Sequence, residues 1–195
     1  MYQICISGAS KGASVEEGRE LAASAGVAVA AGGHSLLSGA TVGLPNYTAE
    51  SYKASGGRMS VGISPAASKL EHIFKYRLPT AAYDTILYTG MHYVGRDTLL
   101  INSSDAVVSI GGRIGTLHEF TVAMETNTPI GFLQGAGGVS TQIMDILHAA
   151  GNEHGKHVVF SDDPVELMAM LEAILDADRQ LHYSEHNRRY AARHS

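Results

Sequence analysis

Short, almost wholly apolar runs punctuate this chain, and each is closed by a turn of glycine or small polar residues. They are QICISGAS from Gln3, VAVAAGG from Val27, RMSVGIS from Arg58, DTILYTG from Asp84, AVVSIGG from Ala106, PIGFLQ from Pro129 and HVVFSD from His157. Runs of this length without polar alternation belong to strands covered on both faces. Between them lie stretches with helical spacing: VEEGRELAASAG, the segment through TAESYKASGG, and the regions Leu117–Thr126, Thr141–Ala150 and Pro164–Asp178. This alternation predicts an α/β chain, a Rossmann-like doubly wound parallel sheet of about seven strands with helices on both faces, in a single domain over 1–180. Pro164 suits a first helical turn and Asp163 its cap. The end from His182, HYSEHNRRYAARHS, lacks apolar periodicity, and 181–195 is expected to be a disordered tail.

The most informative stretch is SSDAVVSIGGRIGTLHE, Ser103 to Glu119 with its neighbours, where a buried strand runs into Gly111, Gly112 and Gly115 and then into a helix expected to start at Thr116. The first amides of a helix have no internal acceptors and sit at the positive end of its dipole, so this turn is built for an anion, and phosphate suits it. In an open parallel sheet, ligands bind beyond the carboxyl ends of the strands. Turns expected at that edge are Ser7-Gly8-Ala9-Ser10, Gly32-Gly33-His34-Ser35, Thr89-Gly90 and Gly111 to Thr116. Thr116 and Glu119 have a second reading as a capping box, the threonine capping the helix and the glutamate reaching back. Arg96 reads either as a solvated cation in a first helical turn, opposed by the dipole, or as a ligand contact.

Composition narrows the partners. With 195 residues, 45% hydrophobic and 17% charged positions, 22 glycines and a formal net charge of −5, the chain is compact and turn-rich. It offers no global attraction for nucleic acid or acidic membranes. No run reaches the roughly 18 apolar residues of a spanning helix, and the single Cys5 lies in an apolar strand, as in a reduced cytoplasmic protein. The ten histidines show no zinc spacing, including His148, His154 and His157, although His34 and His92 are expected near the pocket edge. Ser7, Ser10 and Ser35 do not lie in a nucleophile elbow. Gly135 to Gly138 reads as an anion loop or as a plain connection ending in a helix cap.

Over residues 3–175 the chain resembles the Lonely Guy family of nucleoside-monophosphate phosphoribohydrolases, often mislabelled lysine decarboxylases, and the related molybdenum-cofactor carrier proteins. The resemblance is carried by Gly111-Gly112-Arg113-Ile114-Gly115-Thr116-Leu117-His118-Glu119, which matches the family's Pro-Gly-Gly-x-Gly-Thr-x-x-Glu, and by Arg96 upstream. SGAS at Ser7–Ser10 looks like its first nucleotide-contacting turn, and GGHSLLSGATVGLPNYTAESYKASGG looks like its second glycine-rich turn and following helix. Two positions depart: Arg113 replaces a glycine, and Arg96 is followed by Asp97 where the hydrolases have lysine and the carriers more often asparagine.

The resemblance implies phosphate on Ser7, Gly8, Ser10, Gly33, Gly111, Gly112, Arg113, Gly115 and Thr116, with Arg96 and Glu119 as catalytic residues beside the sugar. It implies release of free base and ribose 5-phosphate without a required cofactor. The alternative is a carrier or sensor holding a molybdopterin-type ligand or a nucleotide. It also implies a homodimer or higher assembly. Lysine decarboxylation is not expected, because no lysine is placed as a pyridoxal anchor.

Overall fold

The computed structural model describes residues 1–151 and 157–194, with side chains to Ser184. Seven parallel strands form one sheet in the order β4-β3-β2-β1-β5-β6-β7. They are β1 (Gln3–Gly8), β2 (Ser35–Ser38), β3 (Ser60–Ser64), β4 (Thr85–Tyr88), β5 (Ala106–Ile110), β6 (Ile130–Leu133) and β7 (Val158–Ser161). The helices are α1 (Ala13–Glu17), α2 (Arg19–Ala31), α3 (Leu44–Ala54), α4 (His92–Asn102), α5 (Ile114–Thr126), α6 (Ile143–Ala149) and α7 (Pro164–His194). A π-helical turn occupies Glu71–Lys75, and a 3-10 turn at Gly138–Gln142 precedes α6.

The doubly wound architecture is as the sequence predicts, and its two cores follow from strand alternation. Ile4 and Ile6 of β1 pack into the layer formed by α2, α3 and α7, together with Val29, Leu44, Tyr52, Leu167 and Leu171. Cys5, between them, faces the layer of α4, α5 and α6 with Leu100, Phe120, Phe132 and Leu147. Burial pushes the Cys5 thiol well up, so it is packed as a small hydrophobe.

One strand lies elsewhere than expected. VAVAAGG is helical, the last turns of α2, and the strand is the following SLLS, all four of whose residues are buried. Alanine is the best helix former, so it tips an apolar run away from a strand. Gly26 then lets α2 press on α3, since a Cβ there would stand 2.3 Å from the Thr48 carbonyl oxygen. The Gly32-Gly33 turn consequently enters β2 at its amino end.

At the other end of the chain, Asp163 caps α7 as expected, accepting from the Val165 and Glu166 amides at 2.7 and 3.0 Å. The backbone of α7 continues through the segment expected to fray, which holds neither glycine nor proline to stop a helix already nucleated on the core.

Candidate functional site

The connections on the two sides of β1 leave for opposite faces of the sheet, β1 to β2 through α2 and β5 to β6 through α5. A crevice therefore opens above the carboxyl ends of β1 and β5, where such sheets bind ligands. It holds a cavity of about 170 Å³, lined by Ser7 to Ser10 at the end of β1 and just after it, Gly39 and Thr41 after β2, Pro45 of α3, Tyr93, Arg96 and Asp97 of α4, and Arg113, Gly115, Thr116 and Glu119 around the start of α5.

The turn between β5 and α5 is shaped by Gly111 and Gly112, at φ 58° and 109°, where side-chain-bearing residues are strained. A Cβ on Gly112 would meet Thr116 Oγ1 at 2.2 Å. The Gly135–Gly138 stretch is a connection that buttresses this turn from behind, and the Val139 amide that follows it donates to the Gly112 carbonyl at 2.9 Å. Arg113 takes the N-cap position, and the first intrahelical bond runs from the Leu117 amide to its carbonyl. The amides of Ile114, Gly115 and Thr116 are thus the free donors of the helix start. Among the described residues nothing lies within 4 Å of where a Gly115 Cβ would stand, so this turn is open to an incoming group.

Because α5 starts at Ile114 rather than Thr116, the capping box does not form. Glu119 lies beyond the first turn and accepts a hydrogen bond from the Ser7 hydroxyl. Ser7 shares the strand parity of Cys5, which points it toward α5. The Glu119 carboxyl is 8% exposed, and its pKa is raised to about 7, chiefly by burial and further by the Asp97 charge. The Arg96 guanidinium and the Ser7 hydrogen bond oppose that rise.

Arg96 is only 4% exposed. With α4 beginning at His92, it stands in the second turn rather than the first, away from the strongest part of the dipole. Its Nε approaches Asp97 Oδ1 at 3.2 Å, close enough to attract but misaligned for a hydrogen bond, so Nε, Nη1 and Asp97 Oδ1 are buried with no hydrogen-bond partner among the described residues. Asp97 Oδ2 pairs with His118 Nδ1 at 2.9 Å. The guanidinium lies against the turn after β2, where a Cβ on Gly39 would fall 1.8 Å from Nη1.

The structure brings together Ser7, Gly8, Ser10, Arg96, Arg113, Gly115, Thr116 and Glu119, while Gly111 and Gly112 shape the turn from behind without lining the cavity. Gly33 is at the opposite edge, a consequence of the displaced β2. Its neighbour His34 is buried there, accepting from the Tyr2 amide at 3.1 Å and bonded to Glu172 Oε1 at 2.7 Å. His92 shares a hydrogen bond with the Tyr76 hydroxyl and does not line the cavity, and His154 lies outside the described residues. Sequence reasoning missed Gly39, Thr41, Pro45 and Tyr93. The signal for the first three was GATVGLP directly after SLLS, which a strand at VAVAAGG leaves inside a glycine-rich turn and the following helix.

The profile of the SLOG cluster4 family matches residues 1–168. An uncharacterized protein of Archaeoglobus fulgidus is 30% identical over 134 residues, covering 69% of this chain and 81% of that protein. The X-ray structure of TM1055, a structural-genomics target, is 24% identical with a TM-score of 0.77, over 89% of this chain and 99% of its own. The molybdenum cofactor carrier protein of Chlamydomonas reinhardtii is 23% identical with a TM-score of 0.70, over 89% and 98%. The resemblance read from Gly111 to Glu119 is borne out, and the chain belongs to the SLOG cluster4 family.

Proposed function

We propose that this crevice binds a nucleotide or a related phosphorylated heterocycle, with phosphate on the amides of Ile114, Gly115 and Thr116 and the sugar between Arg96, Ser7 and Glu119. The observation that carries this reading is Arg96, a buried cation with two unfilled donor nitrogens lining the same cavity as Gly115 and Thr116 at the start of α5. Buried polar donors without partners cost free energy that an anionic ligand would restore. Similarity to a carrier whose name states that it holds the molybdenum cofactor supports a phosphorylated ligand of that general kind.

Glu119 supplies the chemistry for hydrolysis of a nucleoside 5′-monophosphate. Its ionised carboxylate takes a proton from water as the water oxygen bonds to C1′. The C1′–N bond breaks with its electron pair on the base, and the proton then passes to the base, giving free base and ribose 5-phosphate. A carboxylate beside C1′ also stabilises the positive charge that develops there. The second reading, a carrier without turnover, is favoured by Asp97, which offsets the charge of Arg96 where the hydrolases have a lysine.

Release of free base from purine and pyrimidine nucleoside 5′-monophosphates separates the two. A hydrolase loses release by at least about a hundredfold in Glu119→Ala while binding is kept, and its rate climbs as pH rises through about 7, where Glu119 ionises. No release from any nucleotide, with binding intact, selects the carrier. Homo-oligomeric assembly belongs to the same proposal and is supported by Leu70, Phe74, Leu87 and Val94, each more than half exposed. A cytoplasmic location is proposed from the lone buried thiol.

A further inference from the structure

The crevice is polar along its floor, but one part of its wall is aromatic. Tyr93 lines the cavity and is 46% exposed, although Arg96 and Asp97 on the same helix are buried. Its ring is held from outside the cavity. Tyr76, from the segment after the π-helical turn, packs on it edge to face, with centroids 5.7 Å apart and planes at 77°. Tyr76 is fixed in turn: its hydroxyl shares a 2.8 Å hydrogen bond with His92 Nδ1, and Lys75 Nζ stands 5.4 Å from its ring centroid. His92 and Arg77 both adopt left-handed backbone, at φ 55° and 56°, so tight local turns set the two segments that bring these rings together. Burial raises the Tyr93 phenol above its ordinary value.

We infer that Tyr93 is the platform on which the ligand's heterocycle stacks, with Tyr76 a positioning residue that holds the platform ring. The inference rests on the phosphorylated-ligand reading of the same crevice. With phosphate at the start of α5 and the sugar beside Glu119 and Arg96, the wall carrying Tyr93 remains for the base. Tyr93 is the half-exposed aromatic of that wall, so the ring system would meet it on the open side of the cavity. A π-face recognises flat heterocycles as a class and is tolerant of which one.

The test is calorimetric titration of 5′-AMP and of ribose 5-phosphate, carried out in a Glu119→Gln background so that no turnover consumes the nucleotide. Tyr93→Ala is expected to weaken AMP binding about tenfold to a hundredfold while ribose 5-phosphate changes by less than about twofold. Tyr93→Phe should restore AMP affinity, and Tyr76→Ala should lose part of it with ribose 5-phosphate again unaffected. Tyr93→Leu binding AMP as well as Tyr93→Phe would overturn the inference, because apolar cover alone would then suffice. Equal losses for both probes, or no loss for either, would overturn it as well. If the parent protein binds neither probe, the phosphorylated-ligand reading falls and the platform with it. If it binds both and the tyrosine variants do not separate them, only the platform falls.

Discussion

Glu119 is the residue at which a structural and a functional explanation part. A T-x-x-E spacing fits a helix cap as well as a catalytic carboxylate, and only the position of the helix start decides between them. The start at Ile114 leaves Glu119 facing Ser7 in a buried pocket, with its pKa raised to about 7 from an ordinary 4.5. The folded protein therefore holds this proton more tightly than the unfolded chain. The associated stability is fully present below about pH 4.5 and is lost as pH rises through about 7. Glu119→Gln keeps a partner for Ser7 without the charge. Relative to the parent it is expected to gain up to roughly 3 kcal/mol above about pH 8 and almost nothing near pH 4. Denaturant unfolding of both proteins at the two pH values measures this, and a difference that does not vary with pH would refute a raised Glu119 pKa.

At the scale of elements, the segments that were legible in the sequence are those whose pattern and punctuation agree. β5 and α5 were readable because an uninterrupted apolar run ends in glycines that the turn requires. β7 and α7 were readable because Asp163 and Pro164 mark the boundary. VAVAAGG was misread because small apolar residues fit a buried strand and a closely packed helix equally well, and alanine's propensity combined with the Gly26 contact decided for the helix. That single shift moved Gly33 and His34 to the wrong edge of the sheet and hid Gly39.

Gly39 is where the turn after β2 makes room for Arg96. In Gly39→Ala the new methyl group would overlap the guanidinium, whose side chain yields more readily than the backbone. Arg96 is then expected to swing away. The loss of a charge-assisted contact should weaken ribose 5-phosphate binding by roughly tenfold or more, with little change in melting temperature. Titration together with thermal unfolding checks this, and unchanged affinity would remove Arg96 from the site.

For the whole molecule, the decisive feature is topological. The sheet order places β1 beside β5 with their following helices on opposite faces, so turns far apart in sequence meet at one edge. Sequence could place the turns after β1 and β5 there because their strands were read correctly. It could not place Tyr93, whose approach depends on how α4 leans over the sheet. The pairing of Asp97 with His118 likewise joins α4 to α5 through tertiary packing that no local pattern encodes.

The central claim is that an anion sits on the start of α5 under the charge of Arg96. Backbone amide shifts followed by two-dimensional NMR during titration with ribose 5-phosphate test it most directly. The amides of Ile114, Gly115 and Thr116 should move together and saturate, and in Arg96→Ala the same shifts should require at least about tenfold more ligand. If those amides stay still at saturating ligand, or if the shifts gather around Gly33 and His34 at the opposite edge, the site is wrongly placed.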